Sequence, residues 1–211
     1  CFLNAHGDFC IKIKKINLYE EYISLQKEKT EDPIRRKKWE SSLRENTKKF
    51  VPTFSQYNDI LSEHKEDLVY CLGARTGEEA LALRLLGYKK ALGTDLVPFM
   101  NHVIEGDIHN MEFKNNSVGL FYTNIFDHSI KPKTFVNEMI RCLKPNGKAF
   151  VQLQLGNDLD KYGVLHIEDS KDFLQLISDK NAKVIKNEKN KILSAHNHAL
   201  NWNIIFQKNN N

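Results

Sequence analysis

Val69-Tyr70-Cys71-Leu72-Gly73-Ala74-Arg75-Thr76-Gly77 is the stretch on which the fold turns. Leu68 to Leu72 is a short apolar run halted by a glycine, the pattern of a buried strand. Gly77 then opens Glu78 to Leu86, a run of helix formers that ends at Gly87, a C-cap signal. A strand, a glycine loop and a helix in that order bring backbone close to a ligand and aim a helix N-terminus, which favours negative charge, towards it. Eighteen residues beyond Gly77, Asp95 closes a second apolar run, Ala91 to Asp95. A carboxylate at that place in a doubly wound sheet accepts hydrogen bonds from ribose hydroxyls. The glycine spacing alone is a weak signal; Asp95 strengthens it, the plainer alternative being a carboxylate on a surface turn.

Working outward, Val103 to Asp107, Val118 to Asn124, Lys148 to Leu155, Val184 to Asn187 and Leu200 to Gln207 read as further strands. Phe135 to Leu143 and Asp172 to Ser178 read as helices, and Lys144-Pro145-Asn146-Gly147 as a turn. Strands alternating with helices predict a parallel sheet covered on both faces. Only 11 residues separate Asp95 from Asp107, so the crossover between those strands is expected to be abbreviated. Upstream the character differs: from Leu18 to His64 there is no glycine and charge is densely interleaved. Leu18, Tyr22 and Leu25 recur at helical spacing. Asp32-Pro33 starts a second helix through Ile34, Trp39 and Leu43, and Pro52 is expected to end it or begin a third around Tyr57 to Leu61. The chain therefore divides into an N-terminal helical extension or cap, residues 1–66, and an α/β domain, residues 67–211.

Of the 211 residues, 41% are hydrophobic and 27% charged, ordinary composition for a globular domain, and the formal charge of +4 is too small to argue for nucleic acid. No apolar run approaches the ~18–20 residues of a membrane span. Cys1, Cys10, Cys71 and Cys142 lack metal or disulfide spacing, which points to a reducing, cytoplasmic setting. The start at Cys1 is read as a cut from something longer, and Asn209 to Asn211 as a frayed end.

From about Asp67 to Gln207, two thirds of the chain, the sequence resembles the class I S-adenosylmethionine-dependent methyltransferases. Four blocks match in order: VYCLGARTG (69–77), GTDL (93–96), EGDIHNMEF (105–113) and NIFDHSIKPKTFVNEMIRCLKPNGKAFVQL (124–153). A dinucleotide dehydrogenase would show Gly-x-Gly-x-x-Gly, which is absent, and has no reason for the LKPNG turn. The resemblance implies a Rossmann-like doubly wound, mostly parallel seven-stranded sheet with an antiparallel last strand, and S-adenosyl-L-methionine as cofactor, with S-adenosyl-L-homocysteine as product. It implies that Gly73, Ala74, Arg75 and Gly77 pass the methionine part of the cofactor, Asp95 and Leu96 the ribose, and Asp107 and Ile108 the adenine. Asn124 would lie beneath the sulfonium. Two departures stand out. Cys71 replaces the acidic residue usual at the first strand's end, and reads as a packing residue; Arg75 replaces the middle glycine, and either pairs with the cofactor's carboxylate or lies in solvent.

Methyl transfer to an alcohol needs a base or a metal, because the hydroxyl is weakly acidic. Asp127 and His128 follow the fourth strand, where ligands bind in such sheets. His128 is the candidate base, with Asp127 orienting it or holding a divalent cation; the alternative is a structural pair capping the next segment. In an extended segment the two would point to opposite sides. His166 is a second candidate. His196-x-His198 reads as a solvated loop pair rather than a metal site. Arg35-Arg36-Lys37-Lys38 reads first as a solvated helix face, while Gln26, Lys29, Asp32, Arg36 and Trp39 are substrate-side candidates.

The reading is an O-methyltransferase acting on a sugar or glycan hydroxyl, a deoxysugar such as rhamnose being the guess. Its start suits the terminal domain of a larger glycosyltransferase polypeptide, such as those of large algal viruses. NIFD (124–127) stands where an Asn-Pro-Pro-Tyr amine motif would, which argues against nitrogen methylation of bases or glutamine. The alternatives are a small-molecule methyltransferase acting on a phenol or carboxylate, and a silent cofactor-binding scaffold subunit.

Overall fold

The computed structural model describes residues 11–13, 16, 18–156, 158–178, 180–192 and 200–210; Cys1, Cys10 and the His196–His198 pair lie outside them. After a short strand β1 (Ile11–Ile13) come helices α1 (Tyr19–Glu31), α2 (Pro33–Ser55) and α3 (Asn58–Leu61). The α/β part runs β2 (Val69–Leu72), α4 (Glu78–Leu85), β3 (Ala91–Asp95), β4 (Val103–Glu105), β5 (Val118–Thr123), α5 (Pro132–Cys142), β6 (Leu143–Leu153), β7 (Leu165–Ile167), α6 (Ser170–Ser178), β8 (Ala182–Lys189) and β9 (Trp202–Lys208).

Seven strands form one sheet in the order β4-β3-β2-β5-β6-β9-β8. β2 to β6 are mutually parallel, and β9 runs antiparallel between β6 and β8. This is the doubly wound, mostly parallel sheet expected, with an antiparallel last strand. The order reverses between β2 and β5, so the crevice at their carboxyl ends is a switch point. β5 shows why both faces must be covered: all six of its residues are buried. Leu120 and Tyr122 pack with Phe50, Phe54, Leu83 and Phe150 on one face. Phe121 packs with Phe135, Met139, Phe173 and Phe206 on the other. Helices α2 and α4 cover the first face, α5 and α6 the second.

Asp32 caps α2, its Oδ1 accepting from the amides of Ile34 (2.8 Å) and Arg35 (3.1 Å), with Pro33 in the first turn. The expectation that Pro52 ends this helix is wrong: α2 continues to Ser55 through it. One backbone hydrogen bond is lost at the proline, but Phe50 and Phe54, on either side, are buried against the sheet and hold the turn in place. The abbreviated crossover goes further than expected, since residues 96–102 form no helix at all. The Lys144–Gly147 turn is absorbed into β6 as an irregularity, with Asn146 at φ +62° and a register shift opposite Val118 and Leu120. The pairing of β1 with β7 was not foreseen. No helix among the described residues is long and apolar enough to cross a membrane.

Candidate active site

At the carboxyl ends of β2, β3 and β5 lies a cavity of about 510 Å³. Gly73, Arg75, Asp95, Leu96, Ile108, Asn124, Asp127 and His128 line it, brought together from four separate segments. Ala74 is buried behind the loop, its amide donating to Thr94 O at 2.9 Å. Gly77, at φ +74°, caps α4, and a Cβ there would strike His102 and Val103, so packing rather than the cavity demands glycine. Asp107 faces an adjoining hollow of about 310 Å³, which shares Gly106 and Ile108 with the main cavity.

Asp95 is held from both sides: Oδ2 accepts from the amide of Arg75 and Oδ1 from that of Val97, each at 3.0 Å. Burial nevertheless pushes its carboxyl above the ordinary value. Each oxygen keeps acceptor capacity towards the cavity. Asp107 Oδ2 accepts from Tyr19 Oη at 2.6 Å, and Oδ1 from the amide of His109 at 2.8 Å. Burial works against its charge, but the hydrogen bonds from His109 and Tyr19 outweigh burial and hold its carboxyl below the ordinary value. Tyr19 and His109, neither foreseen, thus tie α1 to the loop after β4.

Phe126–His128 form a 3₁₀ turn rather than an extended segment, so the expectation that Asp127 and His128 diverge fails. Both line the cavity, with Asp127 Oδ2 3.8 Å from His128 Nε2. His128 Nδ1 is 3.0 Å from Tyr162 O. A carbonyl oxygen only accepts, so Nδ1 carries the proton and Nε2 presents its lone pair. Burial holds the imidazole below its ordinary pKa, hence neutral. The ammonium of Lys29, on α1, donates to Nε2 at 3.4 Å and lies 4.0 Å from Asp160 Oδ2. Burial, aided by Arg75, brings Lys29 down to about 8. Gln26 Nε2 donates to the same Tyr162 carbonyl at 2.9 Å, fixing the loop that holds His128.

Of the substrate-side candidates, Gln26 and Lys29 line the cavity. Trp39 carries the Arg75 guanidinium 4.5 Å above its ring, Asp32 serves as a cap, and Arg36 Nε donates to Thr30 O at 2.6 Å. His166 stands on β7, its Nε2 2.9 Å from Glu168 Oε2 and away from the cavity lining. Burial pushes the Cys71 thiol well up, which suits packing. Tyr22, Gln154, Asp158 and Asp160 complete the walls without having been foreseen. Among the described residues, no group of three or more His, Cys, Asp or Glu side chains could hold a metal ion.

The lining suits the implied cofactor. Asp95, Asp127, Asp158 and Asp160 outnumber the cations Lys29 and Arg75, as a positively charged ligand requires, and the Asp95 carboxylate offers acceptors to a diol.

The family model described as "Methyltransferase domain" matches residues 70–151. No curated protein matches the chain by sequence. Among solved structures, the 1,6-didemethyltoxoflavin-N1-methyltransferase of Burkholderia thailandensis, with 1,6-didemethyltoxoflavin and S-adenosylhomocysteine bound, superposes with a TM-score of 0.61 at 11% identity, over 100% of this chain and 99% of that one. An S-adenosylmethionine-dependent methyltransferase from Methanosarcina mazei gives 0.52 at 15% identity, over 70% and 94% of the two chains. The cyclase SpnF gives 0.54 at 12%, over 73% and 80%. At such identities these likenesses establish the fold. The family match spans β2 to β6, and the cavity lies at the carboxyl ends of those strands: residues 70–151 are similar to a methyltransferase domain in sequence, and the chain shares the fold of S-adenosylmethionine-dependent methyltransferases.

Proposed function

We propose that this chain transfers the methyl group of S-adenosylmethionine to a hydroxyl of a sugar or glycan, with His128 as general base. The observation that carries the reading is the fixed tautomer of His128: its Nδ1 proton is committed to Tyr162 O, leaving Nε2 as a proton acceptor on the cavity wall. Around it Gln26, Lys29, Asp127, Gln154, Asp158 and Asp160 form a wall of donors and acceptors, which suits a polyhydroxylated acceptor.

When bound, the cofactor supplies a methyl carbon on a positively charged sulfur. The protein's share is to align the acceptor oxygen with that carbon and to remove its proton. Nε2 would accept the hydroxyl proton, and as the oxygen–carbon bond forms the methyl carbon–sulfur bond would break with its electron pair staying on sulfur. The Lys29 ammonium, which faces Nε2 beforehand, has Asp160 as its alternative partner, so it can yield its place to the acceptor. Asp127, 3.8 Å from Nε2, favours the imidazolium that results. The described part of the segment before Asp67 supplies the acceptor-side wall through Tyr22, Gln26, Lys29 and Thr30. In this reading no divalent cation takes part.

The pair of cations Lys29 and Arg75 favours a second reading, an acceptor bearing a phenolate or carboxylate. Production of S-adenosylhomocysteine across a panel of deoxysugars, free and nucleotide-linked, phenols and carboxylic acids separates the two. Turnover on sugars alone supports the first; turnover on phenols or carboxylates alone overturns it.

A further inference from the structure

The base mechanism leaves one buried titratable group without work. Glu79, in the first turn of α4, is 3% exposed, and its Oε2 has no hydrogen-bond partner among the described residues. Its Oε1 accepts from Asn124 Nδ2 at 3.4 Å. Asn124 lines the cavity beside Gly73, and Glu79 therefore touches the site through one amide. An amide that turns its nitrogen to a carboxyl leaves its carbonyl oxygen to a different partner. A buried carboxyl with an unused oxygen is costly to keep unless something offsets it.

The groups facing Glu79 are Glu78 beside it on α4, Arg75 in the glycine loop, Cys71 on β2, and Tyr122 and Asn124 on and after β5. None forms an ion pair with it within 4.0 Å among the described residues. Burial, reinforced by the Glu78 charge, outweighs the Arg75 charge and raises its pKa well above the ordinary value, so the carboxyl stays protonated near neutrality until a further cation arrives.

We propose that Glu79 is a positioning residue for the cofactor: it turns the Asn124 carbonyl towards the cavity and loses its proton as the positively charged cofactor binds, becoming the buried counter-charge. The balance is simple: the carboxyl O–H bond breaks, its electron pair stays on oxygen, and the proton goes to buffer. The position compensates for Cys71, since the acid absent from the end of β2 is supplied from α4 on the same side of the sheet. The proposal rests on the cavity binding S-adenosylmethionine.

Calorimetric titration of the wild type and Glu79→Gln at pH 7, in buffers of different ionisation enthalpy, counts the protons released on binding. The wild type should release a substantial fraction of a proton with S-adenosylmethionine and less with S-adenosylhomocysteine, which lacks the sulfonium charge. Glu79→Gln should release less with S-adenosylmethionine, and the shortfall is the proton of Glu79; any contribution from Lys29 is common to both proteins and cancels. Equal release by both proteins overturns the proposal while leaving the cofactor assignment intact. No binding of either cofactor form to the wild type overturns both. The wild type alone gives a second reading: its affinity for S-adenosylmethionine should climb with pH between about 6 and 8, by up to about tenfold per unit, more steeply than its affinity for S-adenosylhomocysteine. Parallel slopes overturn the proposal even if the variant does not fold.

Discussion

At the scale of single residues, the site is a set of groups whose charge is decided by burial. His128 is neutral because burial disfavours its cation and its Nδ1 proton is already committed. His128→Ala should lower turnover by about 10²-fold or more, leave S-adenosylmethionine affinity nearly unchanged, and leave activity insensitive to EDTA; steady-state kinetics and calorimetry check all three. Loss of activity to EDTA with recovery on Mg²⁺ would sink the base mechanism. Lys29→Met should raise the acceptor KM and spare cofactor affinity if Lys29 has the acceptor-side place proposed for it; a loss of about tenfold is expected for one hydrogen bond from a charged group. Glu79 carries a stability prediction of definite sign. Its folded pKa is raised above the ordinary 4.5, so its contribution is fully present below 4.5 and is lost as pH rises through the raised value. Glu79→Gln should thus match the wild type near pH 4.5 and be more stable at pH 8 by about 1–3 kcal/mol in the absence of cofactor. Denaturant titrations at the two pH values check the difference, and equal stability at both would contradict it.

Elements hold these residues in register. α1 is amphipathic in a functional sense: Tyr22 joins the core beneath, while Gln26, Lys29 and Thr30 line the cavity. Glu20 and Glu21 at its start and Lys29 at its end complement the helix dipole. α2 is held by packing more than by propensity, since Pro52 interrupts its hydrogen-bond ladder. Phe54, 2% exposed, lies in edge contact with Tyr122 at 4.8 Å and Phe150 at 6.2 Å between ring centroids. Phe54→Ala should cost about 3–5 kcal/mol, whereas Ile34→Ala, at an 81% exposed position of the same helix, should stay within about 0.5 kcal/mol of wild type. Chemical denaturation of the two variants tests whether packing or propensity holds α2.

Across the whole molecule, a buried polar chain crosses the face of the sheet away from the cavity. Tyr122 Oη donates to Gln152 Oε1 at 2.6 Å, Gln152 Nε2 to Asn203 Oδ1 at 2.9 Å, Asn203 Nδ2 to Tyr57 Oη at 2.9 Å, and Tyr57 Oη to Glu188 Oε1 at 2.8 Å. It ties β5, β6, β9 and β8 to the segment after α2. Asn203→Leu would leave Gln152 Nε2 without its acceptor and Tyr57 Oη without its donor in a dry interior, at a cost of about 2–5 kcal/mol. Thermal denaturation reads the loss; a variant as stable as wild type would show that water replaces the asparagine.

The amino-acid sequence by itself determined the alternation of strands and helices, the glycine loop and the placing of Asp95 at a strand end. These follow from local rules: side-chain period, turn chemistry and the length of chain between strands. It also placed much of the cavity lining at the ends of β2, β3 and β5, because that lining sits at strand ends, where the period itself halts. Tertiary structure alone decided the rest. Pro52 is a helix breaker by propensity and a helix residue in fact, since the sheet beneath rewards the aromatic residues around it. Asp127 and His128 share a wall because their segment coils into a 3₁₀ turn, which no neighbour in sequence announces. Lys29 meets His128, and Glu79 meets Asn124, across 99 and 45 positions of chain. Neither pairing has a periodic signature, because each depends on how two independently formed elements pack, and packing reads the whole surface rather than the local chain.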